Sequence, residues 1–251
     1  MSQKSISRRN EKNQDEMPLT IVIPVHNEAE VIEEVVKGFY DDVIRKRPGS
    51  DLLVVEDGST DGTREILRRL SDEIPMTLIT GEERKGYMQG LKDALLQAKG
   101  DIIFYSDSDN THNPKDFWKL YRRLTNSDLV CGVKVNRCDP LYRKFLSMLY
   151  NLLVYARFGI YIKDINSGFK IMNRKVLESV VPDIRHLKYG FSTELVIRSQ
   201  KKGFNISWVP VQHFGRTTGN ADQFQLSNIP VVVKAQLRGL KSLKQEIEGR
   251  P

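Results

Sequence analysis

Two aspartates separated by a single serine follow a short apolar run in the sequence. The run covers residues 102–105, and the acids are Asp107 and Asp109. Carboxylates held this close repel each other unless a positive charge lies between them. They are hard oxygen donors that suit Mg²⁺ or Mn²⁺ together with phosphate oxygens, and they do not suit zinc. The pair is typical of a divalent metal site that neutralises a departing nucleoside diphosphate.

Two more polar clusters follow apolar runs earlier in the chain. The first is "IPVHNE", with Pro24, Asn27 and Glu28, and the second is "EDGSTDGT", which begins with Glu56 and Asp57. An acid directly after an apolar strand can accept hydrogen bonds from a base or a ribose. The chain has no glycine-rich dinucleotide fingerprint after its first strand and no phosphate loop ending in Gly-Lys-Ser/Thr. Both absences disfavour a dehydrogenase and an ordinary ATPase.

The elements that must position these clusters alternate between strand-like and helix-like patterns. Alternation of this kind predicts an α/β fold, a Rossmann-like, mostly parallel sheet with helices on both faces. We expect strands at residues 19–25, 51–57, 76–80, 101–105, 128–135 and 204–214. Because ligands of such sheets bind beyond the carboxyl ends of the strands, the three polar clusters should converge there.

Composition bounds the class of protein. The chain has 251 residues, is 39% hydrophobic and 28% charged, and carries a formal charge of +7, values typical of a soluble globular protein. The positive charge favours nucleic acid, an anionic membrane surface or phosphate-rich substrates as partners. No apolar run approaches the roughly 20 residues of a spanning helix. Two cysteines, Cys131 and Cys138, are too few for a structural zinc site and indicate a reducing, cytoplasmic compartment.

The chain divides into three parts. Residues 1–16 lack apolar periodicity and are expected to be a disordered arm, residues 17–225 a catalytic domain, and residues 226–251 a C-terminal amphipathic helix and tail. A long apolar-rich helix is expected at about 140–158, flanked by basic residues. Such a helix can lie in the headgroup region of a membrane or pack into the core, and the sequence leaves both open.

Several motifs taken together resemble the family-2 inverting glycosyltransferases. These are "IPVHNE", "EDGSTDGT", "SDSD" and "DINSGFK", within roughly residues 19–220. "DINSGFKIMN", "FSTEL" and "HFGRTTGNADQF" resemble more specifically the dolichol-phosphate mannose synthase-like, polyprenyl-phosphate branch. The resemblance implies a glycosyltransferase A-type fold and Mg²⁺ or Mn²⁺ as cofactor. "RKGYMQGLKDA" departs from the usual Gly-x-Gly-x-Ala pattern, with Tyr87 and Met88 as bulkier residues.

The resemblance also assigns roles to individual residues. The nucleotide-binding set is Pro24, Asn27, Glu28, Glu56, Asp57 and Asp107; the metal ligands are Asp107 and Asp109; the catalytic set is Asp109, Glu194 and Arg216; and the residues binding the acceptor phosphate are Arg143, Ser147 and Arg216. Arg143, Ser147 and Asn151 are spaced by four residues on the long helix and therefore share one face. Asn220-Ala221-Asp222 departs from the Gly-x-Ser-Lys that often follows the arginine.

The predicted function is metal-dependent transfer of a sugar from GDP-mannose or a UDP-sugar to a polyprenyl or dolichyl phosphate. The enzyme would associate peripherally with the cytosolic face of a membrane, directly or through a membrane-anchoring protein. The alternative is a family-2 enzyme acting on a saccharide hydroxyl, for which Glu194 is the candidate general base or the residue that organises the acceptor. A nucleic-acid-binding protein leaves the strand-end carboxylates without a purpose, and a nucleotidyltransferase leaves "DINSGFK" and "FSTEL" unexplained.

Overall fold

One mixed sheet organises the molecule. The computed structural model describes residues 14–135, 141–164, 167–215 and 228–249, without the side chains of residues 141, 143 and 144. Within these residues seven strands form a sheet of order β3-β2-β1-β4-β6-β5-β7. The strands are β1 (Leu19–Val25), β2 (Ser50–Glu56), β3 (Thr77–Thr80), β4 (Ile102–Ser106), β5 (Leu129–Val135), β6 (Phe169–Asn173) and β7 (Ile206–Gln212).

Most neighbouring strands run parallel, as the alternating pattern predicts. The pairs β1–β2, β1–β4, β2–β3 and β5–β7 are parallel, while β6 runs antiparallel to both β4 and β5. The sequence analysis names no strand at Phe169–Asn173, because Lys170 interrupts its apolar run. That lysine is fully buried, and its ammonium group donates to Ser192 Oγ at 3.0 Å. A buried charge satisfied by distant residues cannot be recognised from alternation alone.

Helices cover both faces of the sheet. They are α1 (Ile32–Phe39), α2 (Thr63–Glu73), α3 (Tyr87–Gln97), α4 (Phe117–Leu124), α5 (Leu141–Phe158), α6 (Arg174–Val180), α7 (Phe191–Lys201) and α8 (Ile229–Ile247). One apolar core joins the sheet to α1, α2 and α4, and the other joins it to α3, α5, α6, α7 and α8. The helices expected at about 140–158 and from residue 226 onward correspond to α5 and α8.

The start of α1 differs from the expected helix cap. The sequence suggests Asn27 as the cap, but α1 begins at Ile32, after Val31. The Asn27 backbone is left-handed, with φ of +53°, a conformation that asparagine tolerates better than most residues. Its side chain instead serves the neighbouring loop, as described below.

The segment before β1 bears on the expected N-terminal boundary. Residues 1–13 of the expected disordered arm lie outside the described residues, whereas Gln14–Glu16 form a short 3₁₀ helix. The buried Arg47 guanidinium donates to the carbonyls of Gln14 and Met17, and this bonding fixes the segment. Gln14–Glu16 are thus bonded to the catalytic domain by a distant arginine, and the expected boundary at residue 16 stays a prediction.

Candidate active site

A crevice opens where the strand order reverses, between β1 and β4. Their pairing ends at Val22 and Tyr105, although β1 continues to Val25 alongside Glu56 of β2. Beyond this point the two strand ends separate, and the loops carrying the three polar clusters leave the sheet. In open α/β sheets this reversal is where ligands bind.

The first two clusters are hydrogen-bonded to each other. Asn27 accepts from the Thr60 N–H at 2.9 Å through its side chain, and the Asn27 N–H donates to Ser59 Oγ at 3.0 Å. The Glu28 N–H donates to Thr63 Oγ1 at 2.9 Å. The two loops therefore form one surface beside Pro24, which pairs with Val55 of β2.

Glu56 does not face the crevice. Its side chain has no solvent exposure; one carboxylate oxygen accepts from the Ser59 N–H, and the other pairs with Arg64 Nε at 2.9 Å. A direct contact with a nucleotide would need both exposure and a free direction of approach. These contacts place the Glu56 carboxylate in the loop that follows β2, and its predicted contact with the nucleotide stays a prediction.

Asp57 lies at the surface and fastens a neighbouring loop. Its two carboxylate oxygens accept from the N–H groups of Lys85 and Gly86 at 2.8 and 2.9 Å. A Cβ on Gly90 would meet this carboxylate at 3.2 Å, so α3 packs closely beneath it. Each carboxylate oxygen has further lone pairs, and Asp57 can still accept from a base or ribose.

The two acids of the third cluster are held by different partners. Asp107 Oδ1 accepts from the Tyr87 hydroxyl at 2.8 Å, and the Asp107 N–H donates to the Gly168 carbonyl at 3.1 Å. Asp109 Oδ1 accepts from Thr111 Oγ1 at 2.7 Å. Burial, and then the charge of Asp109, raise the pKa of Asp107 above its ordinary value. The pair is thus short of positive charge.

A divalent cation fits this arrangement of donors. Asp107 and Asp109 offer hard carboxylate oxygens, and a cation between them would offset both the burial and the neighbouring charge that raise the pKa of Asp107. Within the described part of the chain, no group of three or more His, Cys, Asp or Glu side chains forms a metal site. Diphosphate oxygens would therefore have to complete the coordination, as is common for Mg²⁺.

Two residues beneath the acids were not assigned a role from the sequence. Gly168 lies so close to Asp107 that a Cβ there would overlap the carboxylate. Lys170 is buried near the same acid, and burial lowers its pKa, an effect that the charges of Cys131, Asp164 and Asp107 oppose. Both belong to "DINSGFK", one of the motifs that resemble the family. The sequence therefore marked this segment, but it did not indicate what Gly168 and Lys170 do there.

Glu194 is buried at the start of α7. Its oxygens accept from the N–H groups of Arg185, His186 and Leu187 at 2.8 to 3.1 Å, and Arg198 pairs with it at 2.8 Å. The side chain has no solvent exposure. A carboxylate saturated by donors and shielded from solvent is not placed to take a proton from a sugar. The general-base role predicted for Glu194 does not agree with these contacts. The Glu194 carboxylate instead fixes the 185–187 loop.

The predicted acceptor residues are only partly described. Ser147 and Asn151 lie in α5, which is continuous, so their spacing by four residues does place them on one helix face. The Arg143 side chain and all of Arg216 lie outside the described residues. The described chain before this gap lies beside the loop that follows Asp109, because the Phe214 N–H donates to the Thr111 carbonyl at 2.9 Å.

Comparison with known proteins agrees with the resemblance in sequence. The model of Glycosyl transferase family 2 matches residues 20–181. Undecaprenyl-phosphate mannosyltransferase of Micrococcus luteus is 27% identical over 218 residues, which are 82% of this chain and 87% of the relative. Glycosyltransferase AglD of Haloferax volcanii is 28% identical over 204 residues, 77% of this chain but only 32% of that longer protein.

Solved structures agree on the fold. Glucosyl-3-phosphoglycerate synthase from Mycobacterium tuberculosis, in complex with Mn²⁺, UDP and glucosyl-3-phosphoglycerate, superposes with a TM-score of 0.69. The identity is 22%, and the match covers 95% of this chain and 82% of the synthase. The predicted glycosyltransferase A-type fold is confirmed. With the family model matching most of the chain, this protein belongs to glycosyl transferase family 2 and is a glycosyltransferase.

Proposed function

We propose that this glycosyltransferase moves a sugar from a nucleotide-sugar to a polyprenyl or dolichyl phosphate at a membrane surface. The observation that carries the proposal is an exposed apolar and basic face made by α5 and α8. The relative from Micrococcus luteus, named for undecaprenyl phosphate, supports the same class of acceptor. A lipid acceptor needs a protein surface that reaches it, and this face is suited to that task.

The donor would occupy the crevice between β1 and β4. Asp57 and the Asn27 loop would contact the base and ribose, and Asp107 and Asp109 would face the diphosphate. Bound Mg²⁺ or Mn²⁺, held by the two acids, would supply positive charge for the leaving diphosphate. Structures of the synthase from Mycobacterium tuberculosis contain Mn²⁺ or Mg²⁺ with UDP, which supports this choice of ions. The protein's own task is to hold donor and acceptor in line.

The apolar part of the face is a stripe along α5. Phe145, Met148, Leu149, Leu152 and Tyr155 are 44% to 62% exposed and follow one another at three- or four-residue intervals or as direct neighbours. Spacing of this kind places them on one side of the helix. On the other side, Val154 and Phe158 are buried in the core, and Tyr150 and Leu153 pack against it. A stripe of large apolar side chains left in water is unusual for a monomeric protein and indicates an interaction surface.

Helix α8 extends the stripe. Its exposed apolar side chains are Val231, Val233 and Leu237, and Gln236 Nε2 donates to the Tyr150 hydroxyl of α5 at 2.9 Å. The exposed apolar residues of α5 and α8 together are called the lipid face below. None of the described helices has the length and apolar character of a bilayer-crossing segment.

The charged residues of α5 and of the first part of α8 all have one sign. Residues 141–158 and 229–245 contain no aspartate or glutamate, while Lys234, Arg238 and Lys241 are exposed on α8. Apolar side chains beside lysine and arginine suit the headgroup region of an anionic membrane. A second copy of the chain would bring like charges together, which disfavours association. Peripheral attachment at the cytosolic face of a membrane follows as part of the proposal.

The acceptor's chemistry favours a phosphate over a hydroxyl. A lipid phosphate is already an anion near neutral pH and needs no strong base, whereas a sugar hydroxyl must lose its proton. Glu194, the predicted base, is saturated by donors. We assign Arg143, Ser147 and Arg216 to the acceptor phosphate, since arginine pairs with phosphate oxygens through two parallel hydrogen bonds.

The test is a transfer assay with a panel of UDP- and GDP-sugars and Mg²⁺ or Mn²⁺. The acceptors are undecaprenyl and dolichyl phosphate in anionic vesicles, free saccharides, and phosphoglycerate as a soluble phosphorylated acceptor. We expect one donor to give a lipid-linked sugar, and Asp109→Ala to abolish it. Transfer only to saccharides or to phosphoglycerate would overturn the proposed acceptor. Absence of transfer from every nucleotide-sugar would overturn the donor as well.

A further inference from the structure

One short segment contacts acids at the ends of two strands. It consists of residues 84–87, which are the end of the loop after β3 and Tyr87, the first residue of α3. The N–H groups of Lys85 and Gly86 donate to the Asp57 carboxylate at 2.8 and 2.9 Å, and the Tyr87 hydroxyl donates to Asp107 at 2.8 Å. Asp57 follows β2, and Asp107 follows β4. The segment therefore spans the crevice from its base-binding side to its diphosphate side.

Close packing fixes the segment on the loop after β2. A Cβ on Gly58 would meet the Arg84 N atom at 2.6 Å, which leaves no room for a side chain. The Gly81 N–H, three residues earlier, donates to the Glu56 carbonyl at 2.8 Å. Gly86, with φ of +88°, makes the turn into the helix. These contacts leave the backbone of the segment little freedom.

Tyr87 is held in place by the helix that it begins. Further along α3, Leu91, Ala94 and Leu95 are fully buried in the core, and Met88 packs against the same core. Tyr87 itself is 38% exposed, so this residue lies at the surface beside Asp107 and not within the core. Its hydroxyl is thus directed at Asp107 by a rigid helix.

We infer that Tyr87 is a positioning residue of the donor site. Its phenol fixes the Asp107 carboxylate beside Asp109, and its ring forms the side wall of the diphosphate site. A neutral donor has a specific advantage here. It stabilises the ionised carboxylate through one oxygen but adds no positive charge that would compete with a divalent cation, as a lysine would.

The inference rests on the proposed donor function and makes it more specific. Because the 84–87 segment binds Asp57 with its backbone and Asp107 with Tyr87, a nucleotide seated on Asp57 finds the diphosphate site already arranged. Pre-arrangement lowers the ordering cost of binding a metal–nucleotide complex. Tyr87 should therefore matter for the metal–nucleotide complex and much less for the nucleotide alone.

The test is Tyr87→Phe, which removes only the hydroxyl. Calorimetry would measure the affinity for Mn²⁺ with UDP and for Mn²⁺ with GDP, and again for each nucleotide in EDTA. We expect about 10-fold weaker binding of the preferred nucleotide with Mn²⁺, a loss typical of one hydrogen bond to a charged group, and less than about 2-fold in EDTA. In steady-state assays, KM for the donor should rise more than kcat falls.

Tyr121→Phe is the matched control. It removes a phenol that bonds Arg47 at the opposite end of the strands. The control should bind both nucleotides as the unmodified protein does. Equal affinity of Tyr87→Phe and the unmodified protein with Mn²⁺, or equal weakening with and without the metal, would overturn the role of Tyr87 alone. Failure of the unmodified protein to bind either nucleotide with Mn²⁺ would overturn the donor site and the inference with it.

Discussion

The donor side of the crevice and the lipid face are built on opposite principles. On the donor side, polar side chains are bonded to one another: Glu56 to Arg64, Asp57 to the 84–87 segment, and Asp107 to Tyr87. On the lipid face, large apolar side chains are left in water. In the first arrangement most polar groups already have partners within the protein, whereas the second leaves apolar surface that a partner could cover.

This difference indicates which residues should control nucleotide and metal binding and which should control attachment to a membrane. Residues that bond among themselves fix geometry, so changes on the donor side should affect nucleotide and metal without altering attachment to vesicles. Exposed apolar residues stabilise a complex only when a partner covers them. On the proposed function, changes there should therefore weaken attachment of the protein to vesicles and leave nucleotide binding intact. The variants below test this separation, beginning with the one expected to change activity most.

Asp109→Asn should reduce transfer by about 1,000-fold, because it removes a charge that a divalent cation needs beside the leaving diphosphate. Adding EDTA to the unmodified protein should cause a similar loss, and added Mn²⁺ should reverse it. The measurement is product formation with the preferred donor. Vesicle binding and the melting temperature should be unchanged, and near-normal transfer by Asp109→Asn would refute the metal role of this residue.

Gly168→Ala should reduce transfer by about 100-fold. The added Cβ would overlap the Asp107 carboxylate and must displace it, and small misplacements of a catalytic group carry losses of this size. Calorimetry with Mn²⁺ and the preferred nucleotide should give a parallel loss of affinity. A variant that keeps full affinity would show that Asp107 can move without consequence.

The pair Phe145→Glu and Leu152→Glu should weaken binding to anionic vesicles by about 30-fold, since each change replaces an exposed apolar side chain by a charge of the same sign as the lipid. Co-sedimentation with vesicles measures this binding. Leu96→Glu, at an apolar position of α3 that is 44% exposed, is the control and should bind vesicles normally. If Leu96→Glu weakened vesicle binding by the same factor, the lipid face would not be the surface that binds vesicles.

Glu194→Gln should change stability more than activity. Removing the charge leaves Arg198 partly unpaired and weakens the bonds to the 185–187 loop, which should cost about 2–4 kcal/mol of the free energy of unfolding. Denaturant unfolding measures this cost. Transfer per folded molecule should stay within about 3-fold. A stable variant that lost transfer by 100-fold would restore Glu194 as a general base.

The smallest expected effect is on how the free energy of unfolding changes at acid pH. Hydrogen bonding from Arg198, together with His186 and Arg185, lowers the pKa of Glu246 to about 2. A lowered folded pKa stabilises the protein above the unfolded value near 4.3, and this contribution is lost as pH falls from about 4.5 through 2. Because Glu246 is partly exposed, we expect only about 1 kcal/mol. Unfolding measured against pH should show a shallower decline in Glu246→Gln.

The sequence predicted most of the sheet because apolar runs ending in polar clusters leave little choice of element. It predicted the convergence of the Asn27, Asp57 and Asp107 clusters because parallel strands end at one edge of a sheet. It missed β6, where Lys170 is buried, and it could not foresee that Glu56 and Glu194 would be enclosed. Burial of a charge depends on partners far along the chain, such as Arg64 for Glu56, and no local pattern records them.

The amino-acid sequence by itself therefore determined the fold class and the order of the acidic clusters, since these follow from local periodicity and residue type, and its motifs carried the resemblance to the family. Only the tertiary structure decided which acids are open to a ligand and which are enclosed. It also brought Tyr87 to Asp107 and left the α5 stripe in water. These outcomes depend on packing between distant segments, where a few ångströms separate a ligand contact from a buried hydrogen bond.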